Sequence, residues 1–202
     1  MKKLLLLIPA LILLGSCNRK EMHIPRAGFT VEEGVEDHSP IYFETGEEGK
    51  SFELIEANRI SGTNYIVSVQ RDLNVKDVLT EIKRIKDHKY NEENMHKDEK
   101  GVFLSYADTV SKHLSFFPIK ELDYGFVGPT TMANVVYVKD ANTILFEGNA
   151  VSKDQLVQAI QDRDSVQLGF NKDLTFEQYL QTRIFLVEKE VQDKFAKTDL
   201  IY

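Results

Sequence analysis

An α+β fold made of two small sheet-plus-helix units is predicted by three observations. Short runs rich in β-branched and aromatic residues alternate with segments of helical period. Three helix starts carry the same capping device. A strand-to-helix junction is written twice, as Val67-Ser68-Val69-Gln70-Arg71-Asp72-Leu73-Asn74-Val75 and as Leu168-Gly169-Phe170-Asn171-Lys172-Asp173-Leu174-Thr175-Phe176. The second half is therefore either a repeat of the first or an independent case of a strand feeding a capped helix.

The first segment is an address. Lys2 and Lys3 precede an apolar run from Leu4 to Leu14 that contains Pro9 and ends in small residues. That is the grammar of a secretory signal. Eleven apolar residues make about 16 Å of helix, half of a hydrocarbon core of about 30 Å. The motif Leu14-Gly15-Ser16-Cys17 resembles the bacterial lipobox, which implies that 1–16 is removed and that Cys17 is acylated and becomes the N-terminus. Cys17 is the one cysteine in the chain, so no internal disulfide competes for it. Several acyl chains hold a protein on a membrane effectively permanently. The expected location is the cell envelope. Asn18 after the cysteine, in place of an acid, points to the periplasmic face of the outer membrane.

Loss of 1–16 leaves 186 residues with 23 basic against 32 acidic side chains, a net charge of −9. Nucleic acid is a poor partner for that balance. The length suffices for one large or two small cores.

Residues 17–38 mix charge, Pro25 and glycines without apolar period and read as a flexible tether. The first unit is expected over 39–124. Its elements are a strand at 41–43, a turn at 46–49, strands at 52–55 and 65–69, and a helix with Val75, Val78, Leu79, Ile82 and Ile85 on one face. The polar run 87–100 reads as a solvated extension. A strand at 102–106, a short helical stretch toward Leu114 and a break at Phe116-Phe117-Pro118 complete the unit.

Gly125, Gly128 and Pro129 place a linker at 125–134. The second unit, 135–202, reads ββαβαβ: a hairpin of 135–138 with 143–146, a turn at Glu147-Gly148-Asn149, a helix at 153–161, a strand at 166–170, a helix from Phe176 to about Phe195, and a terminal strand at 199–202.

Helix starts fix the alignment of this reading. Asn74 precedes Asp77, Ser152 precedes Gln155 and Thr175 precedes Gln178, so each side chain can cap an orphan N–H, and the two glutamines can answer back. Apolar pairs Leu73 with Val78, Val151 with Leu156 and Leu174 with Tyr179 span the caps.

On these elements the region 135–202, through Phe146-Glu147-Gly148-Asn149-Ala150-Val151, Leu156-Val157-Gln158-Ala159-Ile160 and Lys172-Asp173, resembles the periplasmic domain of the ExbD/TolR biopolymer-transport family. The resemblance implies a small α/β domain that dimerises and works beside envelope transport. That family's working aspartate lies in an uncleaved membrane helix. The segment here has no acid and ends in Cys17, so the motor role does not transfer.

Chemistry-bearing patterns are sparse, and neither a catalytic set nor a cofactor is predicted. Asp37-His38-Ser39 has triad residue types, but consecutive side chains diverge, and before Pro40 the stretch reads as a turn. His88, Glu92 and His96 recur at i, i+4, i+8 and form a weak metal-ligand candidate in a run that reads better as a solvated face. Asp72 and Asp173 sit before helices, where pairing with Arg71 or Lys172 and the helix start explains them. Asp108 and His113 are five residues apart, off a common helical stripe. The favoured reading is a membrane-anchored, non-enzymatic module that binds an envelope protein, a peptide or cell-wall material. The rival is a hydrolase assembled from distant residues such as His38, His113 and the strand-end acids.

Overall fold

Hydrogen bonding begins inside the stretch read as a tether. In the computed structural model, which describes residues 21–47, 51–91 and 100–202, the first unit comprises β1 (Arg26–Ala27), β2 (His38–Thr45), β3 (Phe52–Ile55), β4 (Asn64–Val69), helix α1 (Val75–Lys89), β5 (Val102–Asp108) and β6 (Leu114–Pro118). Strand order is β3-β2-β4-β5-β6. β4 pairs with the first residues of β5, and β1 runs parallel to the last ones. The segment before β1 is bonded too: the Arg71 N–H donates to the His23 carbonyl and the Ala107 N–H to that of Pro25. The Tyr106 hydroxyl donates to the Phe29 carbonyl and accepts from the Val31 N–H. The tether expected over 17–38 is thus corrected from His23 onward. Its backbone groups found sheet partners that no apolar period announced.

β2 alternates inward Ser39, Ile41 and Phe43 with outward residues, as a half-buried strand should. β4 and β5 are buried almost throughout, as parallel central strands are. The helical stretch expected before Leu114 is instead a tight turn. The Asp108 carboxylate accepts from the Val110 and Ser111 N–H groups, and Lys112 takes φ 58°. Phe116-Phe117-Pro118 is no break but the end of β6, where an edge strand tolerates proline.

The second unit comprises β7 (Asp123–Gly125), β8 (Val135–Val138), β9 (Ile144–Phe146), β10 (Asn149–Val151), α2 (Lys153–Ile160), β11 (Val166–Phe170), α3 (Phe176–Glu188), a 3-10 turn (Gln192–Lys194) and β12 (Phe195–Ile201). Its sheet is ordered β10-β9-β8-β11-β12-β7. The α+β class holds, with two mixed sheets, and two details are corrected. Glu147 and Gly148, at φ 51° and 85°, close a two-residue hairpin loop that adds β10. α3 stops at Glu188 because Glu190 turns left-handed at φ 56°, and β12 begins four residues earlier than expected. The boundary also moves: β7 joins the second sheet although it lies in the stretch assigned to the first unit and the linker.

All three caps form. Ser152 and Thr175 make full capping boxes, and the Asn74 carboxamide oxygen accepts from the Lys76 and Asp77 N–H groups. The two halves share one topology, β3-β2-β4-β5 matching β9-β8-β11-β12 with α1 matching α3, while among the described residues β6, β10 and α2 have no counterpart. The repeated junctions meet each other. The Val75 N–H donates to the Leu174 carbonyl at 2.9 Å and the Phe176 N–H to the Leu73 carbonyl at 2.8 Å, a two-fold exchange at the helix starts. One apolar cluster then runs through both units. Each long helix also reaches the other half: Lys83 pairs with Asp123 at β7, and the Gln181 side chain donates to the Arg26 carbonyl at β1.

Candidate functional site

At the ends of the sheets remote from this junction the chain crosses from β6 to β7 through 119–122 and leaves a cleft. One wall is Phe117 and Pro118 at the end of β6. The other is the 3-10 turn with Phe195, Ala196 and Lys197. β7 pairs only with Thr198, Asp199 and Leu200, so the first residues of β12 face open space on that side. The cleft measures about 430 Å³, within the range of small-ligand sites.

Arg183 lies in the floor. It follows Tyr179 by four residues on α3, which puts both on the buried stripe with Phe176 and Leu180. Asp199, on β12 between buried Phe195 and Ile201, is 0% exposed. The Arg183 Nε–H and the Tyr179 hydroxyl both donate to Asp199 Oδ2 at 2.9 Å. Arg183 Nη2 and Asp199 Oδ1 are buried without a hydrogen-bond partner among the described residues. A buried guanidinium with unused N–H groups is costly, and native folds rarely keep one without a use. Burial pushes the Asp199 carboxyl above its ordinary value, against the pull of Arg183. Burial and the Asp199 charge push the Tyr179 phenol well up.

The rim carries Lys120, Glu121, Asp193 and Lys197. Lys197 and Glu121 form an ion pair at 2.7 Å across it, both largely exposed, so the pair opens at little cost. On the other side of 119–122 a second hollow of about 390 Å³ is lined by Lys86, Tyr90 and Asp123. Lys86 donates to the Leu122 carbonyl and lies over the Tyr124 ring, and burial lowers its ammonium to about 8.

The residues singled out from sequence do not gather here. Ser39 is buried and bonded to Thr63 and to the Ile60 N–H, while neighbouring His38 points out to solvent. His38 pairs with Asn64 at the start of β4 and Asp72 follows that strand's end, so the two are held at opposite ends of the sheet. His113 contacts Glu33 and Ser115 on the turn after β5. Asp173 is exposed and paired with Lys172. His88 is exposed on α1, whereas Glu92, His96 and Cys17 lie outside the described residues. Among the described residues no three His, Cys, Asp or Glu side chains cluster as a metal site. Arg183 and Asp199 escaped notice because each follows polar neighbours, Gln181-Thr182 and Lys197-Thr198, and so reads as part of a solvated face. The available signal was register: a charge at an inward position of a helix and another at an inward position of a strand.

No protein family matches the chain, and the searches of curated proteins and of solved structures likewise give no match.

Proposed function

We propose that this chain is a cell-envelope lipoprotein, held on the membrane through Cys17, that acts as a non-enzymatic binding module with the Arg183 cleft as its ligand site. The observation that carries the reading is a buried guanidinium with unused N–H groups at the floor of an open cleft. A positively charged fork fixed at one end by a carboxylate is a recognition device, and the cleft is of ligand size. The signal-like N-terminus and the lipobox resemblance support the anchor. The likeness of 135–202 to the ExbD/TolR domain supports a place beside envelope transport. The homodimer implied by that likeness has a competing explanation in the chain's own two-fold junction, which supplies both partners internally.

Two experiments test the proposal. Cys17→Ser should move the protein from the membrane to the soluble fraction and abolish palmitate labelling. A mutant that stays membrane-bound, or an unlabelled wild type, refutes the anchor. A photo-crosslinking residue at position 197, on the cleft rim, should give a discrete adduct in intact envelopes, and one at Asn142, on the β8–β9 turn, should not. Identical adducts at both positions refute the cleft as the binding site.

A further inference from the structure

Within that binding-module reading, the geometry points to a carboxylate borne on an apolar body as the ligand class of the cleft, with the carboxylate received by the free end of the Arg183 fork. Arg183 presents a planar array of donors and spends Nε on Asp199. Nη2 has no partner among the described residues, and the side chain is 3% exposed and lines the cleft. A carboxylate can accept a charge-assisted bond from Nη2, the nitrogen left without a partner, and a neutral group makes a weaker one. The charges at the cleft cancel in pairs, so any negative charge on a ligand must be met by the unused Arg183 N–H groups alone, and one such charge is easier to meet than two. Asp199 offsets Arg183 and Glu121 offsets Lys197, which leaves Lys120 against Asp193 at the rim. A doubly charged phosphate would stay undercompensated in a chain this acidic. The apolar body follows from the walls, since Phe117, Leu122 and Phe195 line the cleft together with Arg183. Both a free acid and the C-terminus of a peptide supply this chemistry.

The test is calorimetric titration of the mature chain carrying Cys17→Ser with four probes: 3-phenylpropanoate, its primary amide, N-acetyl-Ala-Phe with a free carboxylate, and the same dipeptide as carboxamide. The acids should bind at least about tenfold more tightly than their amides, as loss of one charge-assisted pair requires. The tighter of the two acids identifies the source, free acid or chain terminus. Arg183→Lys keeps the charge, removes the fork and should weaken the acids by a similar factor. Ala196→Phe fills the cleft without touching Arg183 or Asp199, keeps the test valid where Arg183→Lys fails to fold, and should abolish binding. Equal binding of acids and amides, blocked by Ala196→Phe, overturns the carboxylate assignment and leaves the cleft reading standing. Binding indifferent to Ala196→Phe, or no binding of any probe at millimolar concentration, also overturns it. The crosslinking at position 197 then reports separately on the cleft.

Discussion

Replacing Asn74 with alanine removes two different contacts at once, and the structure assigns a size to each. Its Oδ1 accepts from the Lys76 and Asp77 N–H groups at 2.9 and 3.2 Å, a cap whose loss costs about 1 kcal/mol. Its Nδ2 donates to the Lys172 carbonyl at 3.0 Å across the two-fold junction, and that bond adds about 1 kcal/mol. Asn74→Ala should therefore lose about 2 kcal/mol, or about 4–8 °C of melting temperature for a domain of this size. Thr175→Ala removes only a capping box and should lose about 1 kcal/mol. Asn74→Asp keeps the cap acceptor and loses the cross-junction donor, so it should fall between wild type and alanine. Urea unfolding followed by both far-UV dichroism and tyrosine fluorescence measures all three. Coincident transitions are expected, because one apolar cluster runs through both halves. An Asn74→Ala loss no larger than that of Thr175→Ala would refute the role given to the junction. Two separated transitions would refute the single cooperative unit.

Three further perturbations address the rest of the fold. Leu156 is 1% exposed, so Leu156→Ala should cost about 2–5 kcal/mol by opening a cavity, more than Thr175→Ala; a smaller midpoint shift would show α2 to be misassigned in the core. Asp108 accepts hydrogen bonds from Thr30, Ser111 and Val110 that hold its carboxyl down to about 2. Because the folded value is depressed, its contribution is full above the unfolded value near 4 and is lost as pH falls from about 4 to about 2; Asp108→Asn should flatten the acid limb of a stability–pH profile there, and an unchanged slope would count against the Thr30 contact. A fragment 130–202 lacks β7 and bares one edge of β12, so it should associate or melt well below a fragment that begins at 119. Sedimentation and melting compare the two, and a strictly monomeric, equally stable shorter fragment would make β7 dispensable.

Elements with strong local signals were legible in the sequence. Asn74, Ser152 and Thr175 announce helix starts because a cap is a contact within four residues. The face Val75, Val78, Leu79, Ile82 and Ile85 is buried as its spacing requires. What was not legible depends on partners far along the chain. β1 and β7 are two and three residues long, too short for any period, and exist because β5 and β12 offer edges to them. The end of α3 was overrun since Val191 and Phe195 continue its apolar rhythm, while the left-handed Glu190 breaks it. The paired junctions were visible as a likeness between two nine-residue stretches, but their direct contact was not. Arg183 and Asp199 are sixteen residues apart, and only the return of β12 alongside β11 brings them into one pair.

The bonded segment that starts at His23 sets how this molecule would stand on a bilayer. With a lipid on Cys17, six peptide units separate the anchor from His23, the first residue with a backbone–backbone bond among the described residues, a leash of at most about 20 Å. A free tether to residue 38 would span about 70 Å. His23 is bonded to Arg71 beside the paired helix starts, so that end of the molecule would sit against the headgroups. The cleft lies at the start of β12, about 20 Å along the strands in the other direction. Its mouth would then look away from the lipid, toward whatever occupies the space beyond the membrane, and rotation on so short a leash would sweep it over a narrow patch.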